Sequence, residues 1–328
     1  MNEDELVVAI DALCHPERSR RTTQGHVILG IGDDAALWQP SRSHRAAISS
    51  DMLVEGVHFT RDMMSLEDIG WRAMAANLSD LAAMGARPVL ATVALGIPKT
   101  LSADDVLELY RGLANCATHW RLTIAGGDLS AANALAIAIT VVGEVRPSNA
   151  KTRATGGPGD VLAVTGPLGE ARAGLELARH TEPIDEALKD AALLAFRRPQ
   201  PRIAEGRFLG ASRNVTAMLD VSDGLSTDVH RLAAASGCAA ELGAIPVAPA
   251  ASAVAERRGE DPERFALAGG EDFELLVAVR PRAFEYLAGR YQKRFGRELA
   301  RVGVLQKGSG VTRGGTSLER SGWDHFSG

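Results

Sequence analysis

Hydrophobic positions in the first half of the chain recur in two periods. Leu66, Ile69, Met74, Leu78 and Leu81 fall on one face of a 3.6-residue repeat, which predicts a helix from Ser65 to about Gly85. Ser65-Leu66-Glu67-Asp68 has the form of a capping box at its start, and Gly85 followed by Pro88 supplies the stop. Ser102-Ala103-Asp104-Asp105 opens a second helix in the same way, ending near His119. Val89–Leu95 and Ala134–Val142 are short apolar runs that suit buried strands. The second half repeats the order of strand then helix. Val161–Thr165 leads through Gly166-Pro167-Leu168-Gly169 into a helix, and Ala217–Val221 leads through Ser222-Asp223-Gly224 into another.

Between the halves, Arg146-Pro147-Ser148-Asn149 and Gly156-Gly157-Pro158-Gly159 are dense in turn formers, and a domain boundary is placed here. The expectation is two domains, residues 1–146 and 147–328, both α/β or α+β. A chain of 328 residues with 45% hydrophobic content supports two cores of ordinary size.

A formal net charge of −5 gives no general attraction to nucleic acid or anionic lipid, so neither is expected as a partner. The start, Met-Asn-Glu-Asp-Glu, is acidic where an export signal would be basic, and residues 134–142 are too short to cross a bilayer. Cys14, Cys116 and Cys238 are far apart, without CxxC spacing. They read as reduced thiols of a cytoplasmic protein.

Acidic residues fall repeatedly beside glycine or serine at the ends of apolar segments. The places are Gly32-Asp33-Asp34, Ser49-Ser50-Asp51, Asn77-Leu78-Ser79-Asp80, Gly126-Gly127-Asp128, Asp220-Val221-Ser222-Asp223-Gly224 and Gly269-Gly270-Glu271-Asp272. Any one Gly–Asp pair is more often turn chemistry than function. Six exceed what turns need, and converging carboxylates would repel one another strongly without cations. Oxygen donors with no His/Cys cluster favour Mg2+, which bridges one or two carboxylates to substrate phosphates; the implied ligand is a polyphosphate. Asp80 reads both ways, as a ligand or as a solvated acid, since it shares a helix face with Asn77 but sits where the helix dipole favours cations. Arg153 alone reads as a linker charge or a phosphate fork, and His58 as a packed or a functional histidine. No GxxxxGK[ST] loop, protein-kinase motif set, Gly-x-Ser-x-Gly elbow or His-Glu-x-x-His helix is present.

Taken together, Gly30-Ile31-Gly32-Asp33-Asp34, Asp51-Met52-Leu53-Val54-Glu55-Gly56-Val57-His58-Phe59, Asn77–Gly85, Gly126-Gly127-Asp128, Asp220–Leu225 and Gly269–Leu275 resemble the thiamine-monophosphate kinase family over nearly the whole chain. That family lies in the aminoimidazole ribonucleotide synthetase-like superfamily. The resemblance implies a two-domain synthetase-like fold, with an amino-terminal domain forming an intersubunit β-barrel in a homodimer and a carboxy-terminal α/β sandwich domain. It implies ATP-dependent phosphorylation of thiamine phosphate to thiamine diphosphate, with ATP as co-substrate and several Mg2+ ions. By matching positions it implies magnesium ligands at Asp34, Ser49, Ser50, Asp51, Asp80, Asp128, Asp220 and Asp223, with Asp80 as the hub. Gly127, Asp128, Arg153 and Ser222 match ATP-holding positions, and His58, Glu271 and Trp323 match the thiamine phosphate side. No residue matches a proton-abstracting base. Met52 and Leu129 stand where the family commonly has threonine, and Trp323 where it has tyrosine. Trp323 reads either as an aromatic face for a charged ring or as a plug at the chain end. Within the superfamily the rival is an ATP-dependent synthetase; outside enzymes it is a nucleotide- or metal-binding regulator.

Overall fold

The computed structural model describes residues 2–15, 27–31, 35–180 and 183–322. By internal contacts the chain forms two compact units. Unit 1 comprises residues 1–81 and 86–147, and unit 2 comprises 82–85 and 148–328.

Unit 1 contains α1 (Glu3–Cys14), β1 (Val27–Leu29), β2 (Leu37–Trp38), β3 (Arg45–Val54), most of α2 (Leu66–Ala83), β4 (Arg87–Ile97), α3 (Ala103–His119), β5 (Thr123–Ala131) and β6 (Ala136–Val145). Its main sheet has the order β3-β6-β4-β5, with β4 and β5 parallel across the α3 crossover and the other pairs antiparallel. The Ser65 hydroxyl accepts the Asp68 N–H at 3.1 Å at the start of α2, and Gly85 ends the turn after it at φ +67. At α3 both halves of the capping box form, with Ser102 and Asp105 each accepting the other's backbone N–H. The two helices cross in backbone contact. A Cβ on Gly70 would lie 2.1 Å from the Leu109 carbonyl oxygen, and one on Gly112 would lie 1.8 Å from that of Glu67.

Ile69, Met74, Leu78 and Leu81 of α2 are buried, as are Ile137, Ile139 and Val141 of β6. Ala138, Thr140 and Val142 alternate with these and are only half-buried. The run Ala134–Val142 therefore differs from the expected fully buried strand, because helices cover one face of the sheet and a cleft of about 1220 Å3 opens over the other. The sheet is open, with β3 and β5 as its edges; among the described residues no closed barrel forms.

Unit 2 is built on a seven-stranded sheet, β13-β12-β9-β11-β7-β10-β8, largely antiparallel. Its strands are β7 (Val161–Val164), β8 (Val215–Val221), β9 (Ala239–Leu242), β10 (Glu274–Val279), β11 (Ala300–Gln306), β12 (Val311–Arg313) and β13 (Thr316–Ser317). The helices are α4 (Glu170–Arg179), α5 (Glu186–Arg197), α6 (Ile203–Gly210), α7 (Leu225–Ala235), α8 (Pro249–Arg257), α9 (Pro262–Ala268) and α10 (Phe284–Phe295). Leu225, Val229 and Leu232 of α7 join Leu162, Leu219, Leu276 and Val302 in one core cluster, while α4, α5 and α8 share a second. Among the described residues no helix is long and apolar enough to cross a membrane.

Candidate functional site

In unit 1 the edge strand β3 is latched to α2. Asn77, fully buried, donates to the Ala73 carbonyl at 3.0 Å and accepts the Asp51 N–H at 3.1 Å. One helical turn later, Asp80 accepts a hydrogen bond from the Ser49 hydroxyl. Steps of three on a helix and two on a strand each return to the same face, so the two links fix the register of α2 against β3. They set Ser49, Asp51 and Asp80 along one seam. Asp80 thus stands with Asn77 on the face that meets β3.

Ser50 turns to the opposite face, as strand alternation requires. Its hydroxyl donates to the Ile139 carbonyl at 3.1 Å and lies 3.0 Å from the Thr140 hydroxyl. Strand pairing gives the rows Ser50–Thr140–Thr92–Gly126 and Met52–Ala138–Ala94–Asp128. Ser50 and Asp128 therefore share the cleft face but occupy opposite edges of the sheet, three inter-strand steps across and two residues along, or roughly 16 Å apart. Asp128 is exposed and accepts from the Ser130 hydroxyl at 2.7 Å. Gly127 is demanded by the sheet itself, because a Cβ there would sit 1.8 Å from the Val93 carbonyl oxygen. His58 follows β3, and its Nδ1 accepts the Val54 N–H at 3.0 Å, which puts the neutral ring's proton on Nε2.

In unit 2, β8 delivers Asp220, only 7% exposed, and then the Ser222-Asp223-Gly224 turn into α7. Asp228 in the first turn of α7 is fully buried and accepts from the Ser222 and Asp223 amides, each at 3.1 Å. Burial pushes its carboxyl up to about 6, against the pull of Arg231. Arg231 bridges Asp228, at 2.8 Å, and Asp223. Gly224, at φ +104, packs its backbone on residues 267–269. The neighbouring loop is tied in as well: Glu271 N–H donates to the Ser222 carbonyl at 2.7 Å and Phe273 N–H to that of Val221 at 3.0 Å. Arg153 is exposed; its carbonyl accepts from the Ser236 hydroxyl at 2.8 Å, one residue after Thr152 pairs with Met218 of β8.

The start of α4 is not a phosphate loop in waiting. Its Gly169 and Ala171 amides, at 2.6 and 3.2 Å, are taken by the Asp272 carboxylate, which burial lifts to about 7. Two further arginines close the region. Burial opposes ionisation of Glu274, but Arg202 and Arg297 bind it and hold its carboxyl below the usual range.

Of the sequence-derived site residues, Asp34 and Trp323 lie outside the described residues. The structure brings Ser49, Asp51 and Asp80 together in unit 1, and in unit 2 sets Asp220 near the end of β8 with Ser222, Asp223 and Glu271 on the adjoining loops. It separates Ser50 and Asp128 from the β3–α2 seam. Sequence reasoning missed Asn77 as the latch, and Asp228, Arg231 and Asp272 as supports. The available signal was an acidic residue in the first turn of a helix, where amides need acceptors.

Among the described residues no three His, Cys, Asp or Glu side chains form a metal-holding group. The donor set nevertheless suits Mg2+, because the latch presents hard oxygens from serine and aspartate, and this ion takes few protein ligands beside water and phosphate.

Residues 32–145 match the AIR synthase related protein N-terminal domain, and residues 157–314 the corresponding C-terminal domain. The thiamine-monophosphate kinase of Rhodopirellula baltica is 39% identical over 274 residues, covering 80% of each chain. A crystal structure of thiamine-monophosphate kinase from Stenotrophomonas maltophilia aligns with a TM-score of 0.83 at 33% identity, covering 97% of this chain and 98% of that one. The structure of AaThiL complexed with AMPPCP and TMP aligns with a TM-score of 0.77 at 28% identity, covering 99% of each. Matched in both domains and along most of its length, the chain belongs to the AIR synthase related proteins and, within them, to the thiamine-monophosphate kinase family.

Proposed function

We propose that the protein is a cytoplasmic thiamine-phosphate kinase that transfers the γ-phosphoryl group of ATP to thiamine phosphate, giving thiamine diphosphate and ADP. The observation that carries this reading is the β3–α2 latch, which gathers Ser49, Asp51 and Asp80 in a chain of this family. Mg2+, when bound, neutralises charge on the transferring group and the departing ADP. Its proposed ligands are Ser49, Ser50, Asp51, Asp80 and Asp128 in unit 1 and Asp220 and Asp223 in unit 2, with Asp34 from outside the described residues. Gly127, Asp128, Arg153 and Ser222 hold ATP; His58, Glu271 and Trp323 hold thiamine phosphate. The acceptor is already an oxyanion, so in-line attack on the γ-phosphorus needs no residue to remove a proton. The contribution of the chain is alignment and fixed charge.

A homodimer follows from the same reading. Ser50 and Asp128 share a face but stand on opposite edges of an open sheet, too far apart to hold one ion within one chain. Pairing β3 with β5 of a second copy makes them neighbours, covers the exposed Ile48 and Met52 and closes the two sheets into a barrel. The activity is tested by offering small phosphorylated and unphosphorylated acceptors with magnesium-ATP and identifying the products. Thiamine diphosphate and ADP in equal amounts are expected. ADP release without a phosphorylated thiamine would overturn the assignment.

A further inference from the structure

Residues 269–273 of unit 2 adopt a backbone that their side chains disfavour. Glu271 has φ +65 and Phe273 φ +49, two non-glycine residues in the left-handed region within three positions. Such a conformation persists only where surrounding bonds over-determine it. Here they are identifiable. Glu271 N–H and Phe273 N–H donate to the Ser222 and Val221 carbonyls, and the Phe273 ring is buried at 4% exposure. Between them the Asp272 carboxylate reaches the other way, accepting from Gly169 and Ala171 at the start of α4. A Cβ on Gly270 would come 2.8 Å from the Ser222 carbonyl oxygen, so this loop and the Asp223 turn touch through their backbones.

We propose that Asp272 is a positioning residue: its doubly hydrogen-bonded carboxylate pins the strained loop to α4 and thereby aims Glu271 at thiamine phosphate. The inference rests on the proposed substrate role of Glu271. Ionised, as it is above about pH 7, the carboxyl suits the task because it offers an acceptor to each of two amides. Asparagine would turn an N–H toward one of them. Releasing the pin lets Glu271 relax toward negative φ and moves its side chain, while Asp223 keeps its own partner in Arg231.

The test is steady-state kinetics on Asp272→Asn, Glu271→Gln and the double variant, with magnesium-ATP and thiamine phosphate each varied. Asp272→Asn should lower kcat/KM for thiamine phosphate by about tenfold or more, the scale expected when a contacting group is misplaced by about an ångström, with KM for ATP unchanged. The double variant should be no worse than Glu271→Gln, because both changes act through one side chain. Wild-type constants for Asp272→Asn beside an impaired Glu271→Gln would overturn the proposal alone. So would equal losses toward both substrates, or losses that multiply in the double variant, since either marks a general structural role. A Glu271→Gln enzyme with wild-type constants would instead remove the substrate role on which the proposal rests. Should Asp272→Asn fail to fold, Ala171→Pro deletes one donor from the helix side, at a first-turn position that tolerates proline. It should shift the same constant in the same direction by a smaller factor, and an unchanged constant would overturn the proposal.

Discussion

The seam between β3 and α2 in unit 1 and the joined loops at residues 220–224 and 269–273 in unit 2 hold acidic residues by different means. In the first, the Ser49 hydroxyl donates to Asp80 and the Asn77 amide oxygen accepts the Asp51 N–H. The second uses a cation and buried support, with Arg231 between Asp223 and Asp228 and a carboxylate beneath each loop. A hydroxyl orients a carboxylate without cancelling its charge. An arginine cancels charge and fixes geometry, so Asp223 joins an ion only by sharing or releasing Arg231.

The sharpest way to break this contrast is Asp80→Asn. The amide keeps a place for the Ser49 hydrogen bond but removes the charge, so turnover should fall by about 1000-fold or more, with thermal unfolding little changed. An active variant would take Asp80 out of the site. The next largest effect is a recovery. If the proposed homodimer shares its site between chains, Asp80→Asn and Asp128→Asn, each inactive alone, should regain about a quarter of wild-type activity when unfolded together and reassembled, because half of the dimers would be mixed and each mixed dimer would keep one site with both aspartates. No recovery would mean that Asp80 and Asp128 act from the same chain.

How far these regions were legible in the sequence follows from how local their causes are. The helix Ala103–His119 matches its expected limits because Ser102 and Asp105 cap one another three residues apart. The faces of β3 are local too, since alternation alone separates Ser49 from Ser50. That β3 and β5 are the sheet edges is not local, because strand order depends on pairings about 90 residues apart in sequence. The same holds for Asp272. Gly-Gly-Glu-Asp reads as a turn, and nothing near it announces that its carboxylate caps a helix 101 residues earlier. Ala134–Val142 was apolar enough to suggest full burial, yet the cleft over one face leaves every second residue half-exposed.

The arginine in unit 2 provides a smaller test. Arg231→Met leaves the buried Asp228 with its two backbone donors and no cation, and frees Asp223. Breaking a buried pair is costly, but Arg231 is 36% exposed, which lowers the expected loss to about 1–3 kcal/mol. Denaturant unfolding measures it.

A last effect is a pH dependence of stability carried in unit 2 by Asp228 and Asp272. Burial raises Asp228 to about 6 and Asp272 to about 7, each from 3.8, so the folded chain retains protons that the unfolded chain has released. Their contribution is full below the unfolded value and is lost as pH rises through about 6 and then about 7. Melting temperature should therefore decline across that window on this account. Asp272→Asn should flatten the upper part of the decline and Asp228→Asn the lower part, read by thermal melts at closely spaced pH. If Asp80→Asn flattened it equally, the seam would carry a buried carboxylate of the same kind, and the distinction between oriented and compensated charge would fail.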